Sequence, residues 1–241
     1  MSKPVWIAHR GVEDAYPENT AIAFEAALKA GMGVEFDLKS TSDGELVVMH
    51  DDTVDRTTDG SGRVMQLSLA EIRELDAGSW KGSEFAGARV PTFAEAVEQI
   101  ASFDEPATAI ALDIRSLQPG MIRVICDVLS AHNMLHRTVG IGIIWQSVDV
   151  RRRFYEGSAD FQCSNIAQTP DALPGALTDP YSNWIYGRFV PSVADVETVH
   201  AAGKKLLASG DAISGSAVHA RTAFEAGADA VLTWQPSEFL G

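Results

Sequence analysis

The strongest constraint on this chain is a rhythm. Short apolar runs alternate with longer stretches of helical pattern from one end to the other. Eight runs read as strands: residues 5–9, 34–39, 109–115, 139–144, 160–166, 184–189, 205–208 and 230–233. Helical patterns at 19–30, 92–101, 120–132, 148–155, 193–202 and 216–226 separate most of them, with a shorter one at 171–177. A strand that returns to a parallel neighbour needs such a crossover, so the alternation predicts βα units and a parallel sheet. Eight units in 241 residues match a (β/α)8 TIM barrel, which commonly takes about 250 residues. An open, doubly wound sheet has the same periodicity and is the competing α/β architecture.

One stretch breaks the rhythm. After the second strand the apolar run Leu46-Val47-Val48-Met49 ends at His50, a polar loop covers 51–62, and a short helix is expected over 68–75. The expectation is a single barrel domain over 1–241 with a small insertion after the second strand, approximately residues 51–91. Long structured insertions in compact domains are usually functional.

Acids outnumber bases 33 to 19, a formal net charge of −14. That excess argues against a broad electrostatic grip on nucleic acid or anionic lipid, though not against a small anionic substrate held by local positive charge. The apolar run before His9 is too short for a signal peptide, and no stretch of about 18 apolar residues appears. No stable membrane insertion and a cytoplasmic location are therefore expected. Cys126 and Cys163 make neither a metal pattern nor a disulfide framework, and both fall in apolar patterns that read as core.

Side chains two apart in a strand share a face. In Val34-Glu35-Phe36-Asp37-Leu38 the apolar residues point one way and both carboxylates the other, toward a barrel interior or its mouth. Leu112-Asp113-Ile114-Arg115 repeats the pattern, with Asp113 and Arg115 on one face. Inward carboxylates repel one another and are costly to desolvate unless a cation neutralises them. For one such pair an inward salt bridge is the better reading. Two pairs on successive strands favour a hard divalent cation, Mg²⁺ or Ca²⁺ with Mn²⁺ as an alternative, held by Glu35, Asp37 and Asp113.

His9 closes the first strand and His50 closes the apolar run that follows the second. Carboxyl ends of barrel strands are where catalytic groups sit, and two histidines across a substrate can serve as general base and general acid. Arg10 and Arg115 supply local positive charge for a phosphate. Together these residues point to metal-assisted phosphoryl transfer. Glu18 reads either as an ion-pair partner of Arg10 or as a residue beside the metal. Trp145 and Trp234 end the fourth and eighth strands and are candidates for the pocket mouth, with packing at the rim as the alternative. His132, His136, His200 and His219 lie in or beside helical patterns and read as structural.

These residues carry a family resemblance. Ile7-Ala8-His9-Arg10-Gly11, Pro17-Glu18-Asn19-Thr20, Glu35-Phe36-Asp37, His50-Asp51, Asp55-Arg56-Thr57-Thr58 and Arg89-Val90-Pro91-Thr92 together resemble the glycerophosphodiester phosphodiesterase family. The match is dense from about residue 5 to 92. It thins beyond that, through Leu112–Arg115, Gln146-Ser147 and Gly227-Ala228-Asp229. The resemblance implies a (β/α)8 barrel and hydrolysis of glycerol-type phosphodiesters to an alcohol and a phosphomonoester such as glycerol 3-phosphate. Such a reaction belongs to lipid and glycerol metabolism. It also implies a divalent cation on Glu35 and Asp37, catalysis by His9 and His50, and internal attack by a substrate hydroxyl through a cyclic phosphate.

The chain departs from the family at three places. The third ligand, usually the Glu of a Glu-x-Lys pair, is Asp113 with Arg115. Ala208-Ser209-Gly210 stands where a Trp-Thr is common, and Thr233-Trp234-Gln235-Pro236 where Thr-Asp-x-Pro is common. The pocket rim is therefore altered, and a sugar or bulkier diester stays open as substrate. A sphingomyelinase-D-like phospholipase and a barrel that binds without catalysis are the alternatives. A homo-oligomer is compatible with the sequence.

Overall fold

The computed structural model describes residues 4–104, 109–209 and 216–240. The strands are β1 (Val5–Ala8), β2 (Gly33–Ser40), β3 (Leu46–Val48), β4 (Ile110–Ile114), β5 (Thr138–Ile141), β6 (Gln162–Ala167), β7 (Trp184–Gly187), β8 (Lys205–Ala208) and β9 (Ala230–Thr233). All but β3 are parallel, and β1 pairs with both β2 and β9, which closes an eight-stranded barrel. The helices are α1 (Ala21–Lys29), α2 (Leu69–Glu74), α3 (Phe93–Ala101), α4 (Met121–Ala131), α5 (Val148–Gly157), α6 (Leu173–Leu177), α7 (Val193–Ala201) and α8 (Ala217–Glu225). Of these, α1 and α3 to α8 lie between successive parallel strands. This is the (β/α)8 barrel, and each of the eight expected strands forms.

The barrel separates two apolar layers. Outward residues Val34, Phe36 and Leu38 of β2 pack beneath α1 and α3, where the Phe36 ring lies 5.5 Å from Phe24 and 6.3 Å from Phe93. Burying such a side chain stabilises the fold by about 1.5–3 kcal/mol. Inward residues Ile7, Ala111, Val139, Leu207 and Ala230 fill the barrel itself. A filled interior confines ligand access to the strand ends.

Two departures from the expected elements shape the site. The run 46–49 contains a ninth strand, β3, which pairs antiparallel with the end of β2 through Leu38↔Val48 and Ser40↔Leu46. Three residues are too few to show a period, and pairing supplies what pattern does not. The hairpin returns the chain to the carboxyl end of β2, where the Met49 N–H donates to the Asp37 carbonyl at 3.1 Å. The fourth expected strand, in turn, stops at Ile141 rather than residue 144. Gly142 adopts φ +97° and Ile143–Gln146 form a 3-10 turn.

From Met49 to Thr92 the chain holds α2 and two short 3-10 turns around a small cluster of Val47, Met49, Val54, Val64, Ile72, Ala77 and Val90. Ser68–Glu71 and Thr92–Glu95 are capping boxes that start α2 and α3. Each such cap is worth about 1 kcal/mol. Among the described residues no helix is long and apolar enough to cross a membrane.

Candidate active site

At the carboxyl ends of the strands the inward residues change from apolar to polar. Along β1 the inward positions run Val5, Ile7, then His9, and along β4 Ala111, then Asp113 and Arg115. Along β7 they run Trp184, Tyr186, then Arg188, and along β9 Ala230, Leu232, then Trp234. These ends line a cavity of about 360 Å³ that also includes Glu35 and Arg10. The alternation of side chains along each strand, carried one step past the barrel core, builds this wall.

Asp37 and Asp113 are register partners on β2 and β4, with Glu35 one inward step deeper. One carboxylate oxygen from each of Glu35, Asp37 and Asp113 lies within 4.8 Å of the other two. Glu35 and Asp37 are almost fully buried. Burial, then the charges of Asp37 and Asp113, push Glu35 well above the usual carboxylate range. Burial, reinforced by Asp37, pushes Asp113 up to about 7. Asp113 Oδ1 is buried and has no hydrogen-bond partner. Three hard oxygen donors, mutual repulsion and an open buried acceptor fit a divalent cation.

Arg10 reaches this cluster because its backbone is left-handed, at φ +50°. A non-glycine residue pays about 1–2 kcal/mol for that conformation. Here both backbone groups are engaged: the N–H donates to Glu35 Oε2 at 3.0 Å, and the carbonyl accepts from the Asn19 N–H at 2.9 Å. The next residue, Gly11, has φ +78°, and a Cβ there would come within 2.7 Å of the Ala23 backbone. Arg10 Nη1 donates to Glu18 Oε1 at 2.9 Å, and its Nε lies 3.4 Å from Asp37 Oδ2. Burial works to lower the Arg10 pKa, but Asp37, Glu18 and Glu35 outweigh it and raise it.

Behind Arg10 a chain of charges runs to His50. Arg56 donates from Nη1 and Nη2 to Glu18 at 2.7 and 2.8 Å, and from Nε to Asp51 Oδ2 at 2.7 Å. Asp51 Oδ1 lies 2.6 Å from His50 Nδ1. Hydrogen bonds to Glu18 and then Asp51 raise the Arg56 pKa, and the bond from Arg56 holds Asp51 far below its usual range. Burial pushes Glu18 up, but Arg56 and Arg10 outweigh it and hold it low. Burial is also the main reason His50 is lowered, against Asp37 and Asp51.

His9 sits in the cavity wall with its ring 4.9 Å from that of Trp234. Its Nδ1 bonds Glu13, and its Nε2 lies 3.8 Å from Glu35 Oε2. His50 does not line the cavity; it borders a small void with Glu18 and Asn19. Arg115 is nearly half exposed, its Nε 3.6 Å from Asp37 Oδ1 and its Nη2 4.0 Å from Asp113 Oδ2. Seven sequence candidates thus gather around the carboxylates: His9, Arg10, Glu35, Asp37, His50, Asp113 and Arg115.

One reading changes, and for Glu18 the ion pair with Arg10 is the alternative that forms. Trp145 does not line the mouth. Gly142 turns it outward, it is fully buried, and its ring lies 4.7 Å from Phe154 and 5.7 Å from Phe161. Glu18 stands off the main cavity as the buried anion between Arg10 and Arg56. Asn19, just before α1, has φ +57° and donates from Nδ2 to Asp37 Oδ2 at 3.3 Å, while Thr20 caps the helix. Trp234 does line the cavity. Of Ala208-Ser209-Gly210, Ala208 ends β8, Ser209 follows it and Gly210 lies outside the described residues. His200, set aside in the sequence, pairs with Asp229 at 2.8 Å.

Four polar residues escaped sequence reasoning: Asn19 and Arg56 behind the carboxylates, and Gln168 and Arg188 on the far wall. A signal existed for the last two. Arg188 lies one inward step beyond the apolar pair Trp184 and Tyr186, the position of His9 on β1, and Gln168 lies one inward step beyond Ile166.

A family model described as the glycerophosphoryl diester phosphodiesterase family matches residues 9–142, more than half of the chain. The chain belongs to this family. A glycerophosphodiester phosphodiesterase of Caldanaerobacter subterraneus is 42% identical to this family member over 141 residues, 57% of either chain. Glycerophosphodiester phosphodiesterase 1 of Rattus norvegicus is 50% identical over 96 residues, 39% of this chain and 29% of the rat protein. The match therefore spans little more than half of the first relative's length. An Oleispira antarctica phosphodiesterase, solved with the product sn-glycerol-3-phosphate, superposes with a TM-score of 0.80 at 27% identity over 98% of this chain and 95% of that one. A glycerophosphodiester phosphodiesterase of Agrobacterium tumefaciens shares the fold at a TM-score of 0.79 and 23% identity, over 98% and 99%.

Proposed function

We propose that this chain is a metal-dependent phosphodiesterase that hydrolyses glycerophosphodiesters to an alcohol and a phosphomonoester such as glycerol 3-phosphate. The observation that carries the reading is the convergence of Glu35, Asp37 and Asp113 with His9 and Arg10 at one end of the barrel. Family membership and the relatives' activities support it.

In this reading Glu35, Asp37 and Asp113 would hold one divalent cation, Mg²⁺, Ca²⁺ or Mn²⁺, the oxygen donors suiting hard ions. A bound cation supplies Lewis-acid polarisation of the phosphate oxygens and offsets the repulsion among the three carboxylates. Arg10 binds a nonbridging phosphate oxygen through its guanidinium, which Glu18 holds in place. Arg115, at the outer edge of the cluster, adds a second positive group for the phosphate.

The two histidines move the protons. Each has a carboxylate on Nδ1, Glu13 for His9 and Asp51 for His50, which fixes the ring and leaves Nε2 to exchange a proton. One takes the proton from the attacking hydroxyl, of water or of the substrate's own glycerol. The other delivers a proton to the departing alkoxide. General acid–base groups of this kind contribute about 10²–10⁴-fold each.

The test is a panel of soluble diesters with Mg²⁺, Mn²⁺ and Ca²⁺, products identified by phosphorus NMR. Glycerol 3-phosphate or its cyclic precursor is the expected product, and His9→Ala and His50→Ala should each lose at least about a hundredfold in rate. Near wild-type turnover by either variant would rule out the two-histidine scheme.

A further inference from the structure

The cavity has a second cationic pole. Around the closed barrel the strands run β1, β2, β4, β5, β6, β7, β8, β9, so β7 stands four places from β2, on the opposite side of the mouth. Arg188 follows β7 and lines the cavity from that side, next to Gln168 at the end of β6. The cavity's other two arginines are engaged: Arg10 by Glu18 and Asp37, Arg115 by Asp37 and Asp113. Arg188 differs. Among the described residues its guanidinium joins no ion pair and no hydrogen bond, and its backbone N–H alone is used, by the Ala167 carbonyl. A chain with 33 acids and 19 bases has carboxylates to spare, yet among the described residues none is set against this cation.

We infer that Arg188 is a specificity residue that binds a carboxylate on the second alcohol of the phosphodiester. The inference rests on the phosphodiesterase reading for where the phosphate sits, on the β1–β2–β4 side. A diester carries two alcohols from one phosphorus. With the phosphate held at that side, a cavity of about 360 Å³ directs one of them across the mouth toward β7. There a planar guanidinium offers a two-pronged contact to a carboxylate, and Gln168 adds an amide donor. The same charge repels trimethylammonium or ammonium groups, so it selects against choline and ethanolamine esters.

The matched probes are 3-phosphoglycerate and glycerol 3-phosphate, of equal carbon length and differing by a carboxylate against a hydroxymethyl group. Calorimetric binding in Mg²⁺ should favour 3-phosphoglycerate about tenfold in the wild type, equal to about 1.4 kcal/mol. Arg188→Gln should abolish that margin, and Arg188→Lys should restore part of it. No margin in the wild type, or one that survives Arg188→Gln, overturns the inference. Turnover of a glyceric-acid diester against glycerophosphocholine separates the two readings. Hydrolysis with selectivity indifferent to Arg188 sinks this inference and keeps the phosphodiesterase. A carboxylate margin in binding without turnover of any diester keeps the subsite and sinks the phosphodiesterase.

Discussion

Gly142 and Asp113 are packed so closely that a Cβ on Gly142 would lie 2.1 Å from Asp113 Oδ1. The bare backbone at the end of β5 therefore sets how far the third carboxylate can swing away from Glu35 and Asp37. Gly142→Ala adds left-handed strain of about 1–2 kcal/mol at φ +97° and displaces Asp113. Mg²⁺ affinity of chelator-treated protein, measured by calorimetry, should fall about 10–100-fold. Unaltered affinity would show that Asp113 is not a ligand.

Asp113 also gives the metal-free protein a pH dependence of definite sign. Its folded pKa of about 7 lies above its ordinary value of 3.8, so the folded state holds a proton that the unfolded state releases between those pH values. Stability therefore falls as pH rises from about 4 to 7 and stays reduced above. Asp113→Asn removes this penalty, on the order of 1–4 kcal/mol after allowance for coupling among the carboxylates. Metal-free thermal melts should place the variant above the wild type at pH 8, with a smaller gap at pH 5. Saturating Mg²⁺ should raise the wild type more than the variant. A variant that melts lower at pH 8 would refute the repulsion.

Arg56 ties the two halves of the site together, with Glu18 and Arg10 on one side and Asp51 and His50 on the other. Its guanidinium makes contacts that an ammonium can only partly reproduce. Arg56→Met should cut kcat/KM about 10–100-fold, the usual cost of losing an orienting partner, and Arg56→Lys should recover a fraction. Equal activity of the two variants would show that the charge chain has no orienting role.

The two tryptophans should behave oppositely. Trp145→Ala opens a core void between Phe154 and Phe161 and should cost about 3–5 kcal/mol in denaturant unfolding. Trp234→Ala, at the mouth beside His9, should leave stability within about 1 kcal/mol and change KM several-fold. A large shift in KM for Trp145→Ala, with stability intact, would contradict its placement in the core.

The fold was legible because short apolar runs alternate with helical patterns along the chain. The carboxylate trio was legible from two-residue alternation: Glu35 and Asp37 alternate with the outward Val34, Phe36 and Leu38, and Asp113 with the outward Leu112 and Ile114. Trp145 was misplaced because Gly142, a single left-handed residue, reverses the direction in which the next side chains point. The links from Arg56 to Glu18 and from Asn19 to Asp37 span 38 and 18 residues and follow no local period. Arg188 was readable in principle, as the inward step after Trp184 and Tyr186.

The most direct measurement is the rate of glycerophosphodiester hydrolysis by chelator-stripped protein before and after Mg²⁺ or Ca²⁺ is returned, with Glu35→Gln beside the wild type. A net charge of −14 opposes an anionic substrate, so its capture depends on the local positive set. The wild type should fall below about one hundredth of its rate when stripped and recover with metal, while Glu35→Gln stays inactive in both states. Full turnover by the stripped protein, or a Glu35→Gln variant that recovers with the wild type, would contradict the assignment.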